Sequence, residues 1–97
     1  MDNPFLAAID GWTEDQWWKG SLQGPDNRVC VMGRLYAVTG DTNGVPQPIT
    51  DLLLDVINEQ YGETCRVGDW NDAKERTFGE VIAVLEKAAV RWDEVNA

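Results

Sequence analysis

Histidine is missing from all 97 residues, which removes the side chain that most often serves as general base or zinc ligand near neutral pH. No nucleophile–histidine pair is therefore possible. Two cysteines, Cys30 and Cys65, are the whole complement of thiols, and without carboxylates to complete the set they fall short of a four-ligand zinc site. Both are expected to be free buried thiols, and no metal or cofactor is expected. No Walker or dinucleotide-binding glycine pattern occurs, and the scattered carboxylates form no recognisable catalytic pair. Positive charge is scarce as well: 8 Lys and Arg stand against 17 Asp and Glu, a formal charge of −9. Such a surface repels phosphate backbones and anionic lipid and suits a basic protein partner. No apolar run approaches the roughly 18 residues of a membrane span. Met1-Asp2-Asn3-Pro4 lacks the basic start of a signal peptide, so a cytoplasmic location is expected.

What is present points to one domain spanning 1–97, with 43% hydrophobic residues to supply a single core and an expected radius of gyration of roughly 12 to 13 Å. Asn3-Pro4 pairs an N-cap with a first-turn proline, and Phe5 to Ile9 form a short helix stopped by Asp10-Gly11. Thr13-Glu14-Asp15-Gln16 fits a capping box opening a second short helix that carries Trp17 and Trp18. Gly20 to Asn27 reads as loop. From Arg28 to Val38 the apolar positions surround a helical wheel. Helix and strand pair are both compatible with that pattern, and we take a buried central helix. Gly40 to Pro48 is a turn-rich connection; Asn43, Pro46 and Leu52 stand where a calcium loop beginning at Asp41 needs other residues, so calcium is set aside.

Ile49, Leu52, Leu53, Val56, Ile57 and Gln60 share one side of a helix predicted from Ile49 to Tyr61, ended by Gly62. The last helix starts at Thr77, whose hydroxyl and the Glu80 carboxylate can cap each other reciprocally. Phe78, Val81, Leu85, Ala88, Ala89 and Trp92 form its apolar face.

Three segments resemble a known pattern: Gly11-Trp12-Thr13, Cys30-Val31-Met32-Gly33, and Trp70-Asn71-Asp72 followed by Arg76-Thr77 and Glu80-Val81. Together they resemble an uncharacterised family of small helical proteins from actinobacteria and their phages, with Arg34 where that pattern usually has alanine. The resemblance implies lineage, a helical fold and a phage or phage-derived origin. It brings no catalytic residues.

Three candidate sites follow. Trp17 and Trp18, about 100° apart on a short helix, are hard to bury together, and exposed tryptophan is enriched at binding hot spots. Asp51, Asp55, Glu59 and Glu63 recur every four residues, with no Lys or Arg between Arg34 and Arg66; such a row suits a basic partner or imitates a phosphate backbone. Trp70, Asn71, Asp72 and Arg76 offer a possible pocket, although Asn71 and Asp72 can equally fold back on local backbone amides with Asp72 near Lys74 or Arg76.

The expectation is an all-α bundle of four to five short helices, with the Arg28 to Val38 segment at its centre and the 49–61 and 78–94 helices packed on it. The expected function is binding of a host protein by a small phage or phage-derived accessory protein, through Trp17 or Trp18 and the acidic row, with no direct nucleic-acid or membrane contact. A DNA mimic is the alternative, and a small enzyme the third reading.

Overall fold

The computed structural model describes residues 3–40, 44–63 and 66–97. Among these residues five α-helices follow one another: α1 (Pro4–Ile9), α2 (Val31–Thr39), α3 (Gln47–Tyr61), α4 (Val67–Asn71) and α5 (Phe78–Val95). No strand occurs among the described residues, so the fold is all-α. The radius of gyration is 12.4 Å.

The helix starts follow from their caps. Asn3 Oδ1 accepts the Phe5 and Leu6 N–H groups at 3.0 and 3.3 Å, and its amide donates to the Ala89 carbonyl at 2.8 Å, tying α1 to α5. Gly11, at φ +75°, supplies the left-handed residue that lets the chain leave α1. At α5, Thr77 Oγ1 accepts the Glu80 N–H at 3.2 Å and the Glu80 carboxylate accepts that of Thr77 at 2.9 Å, closing the expected capping box. The Thr77 amide holds the Glu80 carboxyl below the usual carboxylate range.

The core centres on α5. Its buried Val81, Val84, Leu85, Ala88, Ala89 and Trp92 meet α1 on one side and α3 on the other; Phe5 packs edge-on against Trp92 with ring centres 6.0 Å apart. From α3 come Ile49, Leu53, Val56 and Ile57, all buried, whereas Gln60 is exposed. The central position expected for the Arg28 to Val38 segment is therefore held by α5. Helix α2 packs chiefly on α1 and α4, burying Val31 and Leu35 while leaving Tyr36 and Ala37 exposed. The first residues of the predicted Arg28 to Val38 segment are not helical: Val29 bridges Trp17 and Gln23 in extended form, and Cys30 is the cap of α2. Arg34 explains how α2 holds α1. Its guanidinium donates to the carbonyls of Ala8 and Asp10 at 2.8 and 2.7 Å, satisfying the exposed C-terminal end of α1.

The predicted second helix is also corrected. One 3-10 turn, Glu14–Gln16, forms, and Trp17 leaves it in an extended conformation (φ −89°, ψ 144°). Helix α4 has no counterpart among the elements predicted from the sequence. The turn-rich 40–48 connection falls partly at 41–43, and Cys65 lies at 64–65; both stretches are outside the described residues.

Candidate functional site

Asn71, the last residue of α4, is fully buried and uses its whole amide. Its Oδ1 accepts the Trp17 indole N–H at 2.7 Å and the Val31 backbone N–H at 3.2 Å; its Nδ2 donates to the Trp18 carbonyl and to Asp72 Oδ1, each at 3.0 Å. These bonds join α4 to the 17–18 segment and to the first turn of α2. Asp72 extends the junction by accepting the Gly20 N–H at 2.9 Å, and Lys19 donates to the carbonyls of Ala73 and Lys74 at 2.8 and 3.2 Å while lying 5.2 Å from the Trp17 ring. Apart from the Asn71–Asp72 bond, the fold-back on local backbone amides expected of these two side chains is replaced by long-range bonds to the 17–20 segment and to α2.

Trp17 and Trp18 serve the same junction. Trp17 is half-buried, its indole committed to Asn71 and its ring 6.0 Å from that of Phe78. Trp18 is half-buried beneath Gly24, where a Cβ would fall 2.3 Å from the indole ring. The Trp18 N–H donates to the Val29 carbonyl at 3.0 Å. Neither stands on a helix face offered to solvent.

Trp70 and Arg76 are buried beside this junction. The Arg76 guanidinium lies 4.3 Å from the Trp70 ring centre and 4.5 Å from that of Tyr61. Its Nε donates to the Trp70 carbonyl at 3.0 Å, and Glu80 takes the outer edge at 3.5 Å. A planar, weakly hydrated cation against two aromatic faces is a favourable way to bury charge. Of the four residues proposed to form a pocket, Trp70, Asn71 and Arg76 are therefore packed structure.

The acidic row is shorter and less isolated than its spacing implied. Gly62, at φ +86°, ends α3, so Glu63 lies beyond the helix. Glu59 is paired with Arg91 of α5 through two hydrogen bonds, one of them 2.8 Å long. The bond from Arg91 holds the Glu59 carboxyl below the ordinary carboxylate range and raises the Arg91 guanidinium above its own. Asp51 accepts from Gln47 at 2.6 Å, and Asp55 is exposed.

Asp51 and Asp72 instead meet at a concavity that the sequence did not reveal. A cleft of about 470 Å³ opens between the first half of α3, the start of α4, and the Ser21–Leu22 loop. Leu22, Met32, Leu54 and Val67 give it apolar walls; the Asp51, Asp69 and Asp72 carboxylates and one guanidinium, Arg66, supply its charge. Arg66 approaches Asp69 at 3.5 Å. The Cys30 thiol also lines the cleft; burial pushes its pKa up, although its sulfur accepts the Gly33 N–H at 3.4 Å at the helix start.

The Cys-x-x-Gly motif acquires a physical meaning here. The Cys30 sulfur caps α2, the Cys30 N–H donates to the Leu22 carbonyl at 3.2 Å, and Gly33 lets that carbonyl approach so closely that a Cβ would sit 2.2 Å from its oxygen. The loop carrying Leu22 is thereby pressed onto α2. Among the described residues no group of three or more His, Cys, Asp or Glu is arranged to hold a metal ion, and no helix is long and apolar enough to cross a membrane.

A family model described as a family of unknown function, DUF6197, matches residues 6–91. Comparison with curated proteins and with solved structures finds no match.

Proposed function

We propose that this chain, which belongs to the family of unknown function DUF6197, acts by binding another protein through the cleft bounded by Leu22, Asp51, Leu54 and Asp69. The observation that carries this reading is the pairing of apolar walls with three carboxylates against one guanidinium, on a chain whose net charge is −9. Apolar surface supplies affinity, and the excess negative charge favours a basic partner while repelling nucleic acid and acidic proteins. Asp51 belongs both to this cleft and to the acidic flank of α3, so one residue of the acidic row stays in the basic-partner reading. Trp17 and Trp18 hold the loop that forms one wall.

The Gly-Trp-Thr, Cys-x-x-Gly and Trp-Asn-Asp resemblance supports a phage or phage-derived accessory protein, with a host protein as the partner and the host cytoplasm as the place of action. A DNA mimic is less well supported, because an extended row of free charges is reduced to Asp51 and Asp55 once Glu59 pairs with Arg91 and Glu63 lies past the helix end.

Affinity capture from an actinobacterial host lysate tests the reading, with wild type compared against an Asp51→Asn, Asp69→Asn variant. Wild type should retain a specific partner at low salt, release it as salt rises, and lose it in the variant. Equal retention by both proteins, or no specific retention, would contradict the proposal.

A further inference from the structure

Leu22 is 60% exposed, yet its backbone is clamped by the Cys30 N–H and by the close approach of Gly33. Exposed apolar side chains occur elsewhere on this protein, at Leu6, Val90 and Val95, but Leu22 is the one whose backbone is pinned to α2 between two concavities. Its surroundings give it a purpose. Besides bordering the charged cleft, Leu22 borders a second concavity of about 580 Å³ on the other side of the loop, with Gly33, Tyr36 and Ala37 along α2, the extended Val29 before it, and Gln23 and Asn27 in the turn. This second depression contains no Asp, Glu, Lys or Arg. Tyr36, at 43% exposure, continues the apolar surface.

The two concavities therefore share Leu22 as a ridge and differ in charge. We infer that they are two adjoining seats for one extended segment of a partner protein, which places a Lys or Arg side chain in the Asp51–Asp69 cleft and a large apolar side chain against Tyr36 and Ala37. The inference rests on the protein-binding reading and adds the chemistry of the partner. The cationic seat follows from charge complementarity: Asp51, Asp69 and Asp72 outnumber Arg66. The aliphatic stem of the incoming side chain lies along Leu54 and Val67 while its head meets carboxylates. The uncharged seat rejects a second charge, because nothing in its lining would compensate one. Leu22 contacts the segment from both sides, which makes it the residue whose loss weakens both seats.

The probe is a set of short glycine–serine peptides carrying one Arg and one Phe at varied separations, with Glu/Phe and Arg/Ser sets as controls. Binding is read from backbone amide NMR shifts of the intact chain at peptide concentrations of about 1 mM, suited to a weak two-residue contact. The Arg/Phe set should shift residues in both seats, including Leu22, Tyr36, Ala37, Thr50 and Gly68, and should outbind either control. Leu22→Ser should weaken it about tenfold without lowering the melting temperature. Tyr36→Ser should weaken the Phe contribution, leaving the Arg/Ser peptides unaffected. Asp51→Asn with Asp69→Asn should weaken the Arg contribution more than Glu86→Gln with Glu94→Gln, an equal charge change outside both seats.

The inference is overturned if no set shifts the two seats, if Glu/Phe peptides bind as well as Arg/Phe, or if the distant charge variant has the same effect. Host-protein capture separates this failure from failure of the broader reading. A partner lost in the Asp51→Asn, Asp69→Asn variant but kept in Leu22→Ser overturns the two-seat arrangement alone. Absence of any specific partner contradicts both.

Discussion

Replacing Asn71 by alanine should be among the most damaging single changes in this protein, and the size of the loss can be worked from its four hydrogen bonds. Oδ1 serves the Trp17 indole and the Val31 N–H, and Nδ2 serves the Trp18 carbonyl and Asp72. The bond to Val31 is buried, so its orphaned N–H bears a desolvation cost of about 1–3 kcal/mol. The other three bonds are part-buried; water can reach their partners, and about 0.5 kcal/mol each is a fair lower value. The sum is about 2.5–4.5 kcal/mol. For a domain near this size that corresponds to a fall in melting temperature on the order of 10–36 °C.

Urea unfolding followed by tryptophan fluorescence measures the change. A cycle with Trp17→Phe, which removes the indole N–H but keeps a ring against Phe78, should show a coupling of about 1 kcal/mol between positions 17 and 71. Asn71→Asp adds a check on sign. The new buried carboxyl lies beside Asp72, so desolvation and like charge raise its folded pKa above the unfolded value. The neutral form is tolerated best, and the variant should therefore recover stability relative to wild type as pH falls and lose it as pH rises through the folded pKa. A loss below about 1 kcal/mol for Asn71→Ala, with no coupling to Trp17, would refute the account of this junction.

Three further changes probe other parts of the structure. Gly33→Ala should destabilise by about 1–2 kcal/mol in urea unfolding, because displacing the Leu22 carbonyl costs more than the ~1 kcal/mol of helix propensity gained; a stabilised variant would contradict the close approach. Arg76→Ala should cost about 3 kcal/mol by thermal unfolding, from one hydrogen bond and two aromatic contacts, and Arg76→Lys should restore only part of that. Glu59 has its pKa depressed from 4.5 chiefly by the hydrogen bond from Arg91, so its contribution is present above about pH 4.5 and disappears as pH falls through the lower folded value. Glu59→Gln should make acid unfolding less steep in that window, and unchanged acid titration would remove the ion pair from the account.

Much of the helical framework was legible because it is written locally. Asn3-Pro4, the Thr77–Glu80 box and Gly62 mark helix ends within a few residues, and the apolar stripes of α3 and α5 lie at helical spacing. The failures have a common physical origin in partners distant along the chain. Glu59 looked uncompensated because no basic residue is near it in sequence, yet Arg91 stands beside it across the α3–α5 contact. Trp17 and Trp18 followed a sound helix start, but Asn71 and Val29 offer them bonds that an extended chain, and not another helical turn, can accept. Helix α4 has five residues and includes Gly68, too few to show a stripe. The cleft was the least legible feature of all, since its walls come from four separated stretches. At Gly33, in the Cys-x-x-Gly motif, the close approach of the Leu22 carbonyl emerged only in the folded chain.

Amide hydrogen exchange of the chain with and without the partner retained in host-lysate capture would test the cleft most directly. Slowed exchange should concentrate at residues 21–22, 47–54 and 66–69 and leave the outward side of α5 around Val90 and Val95 unchanged. Protection confined to that outer α5 face, with the cleft exchanging as in the free protein, would place the interface elsewhere and contradict the proposed function.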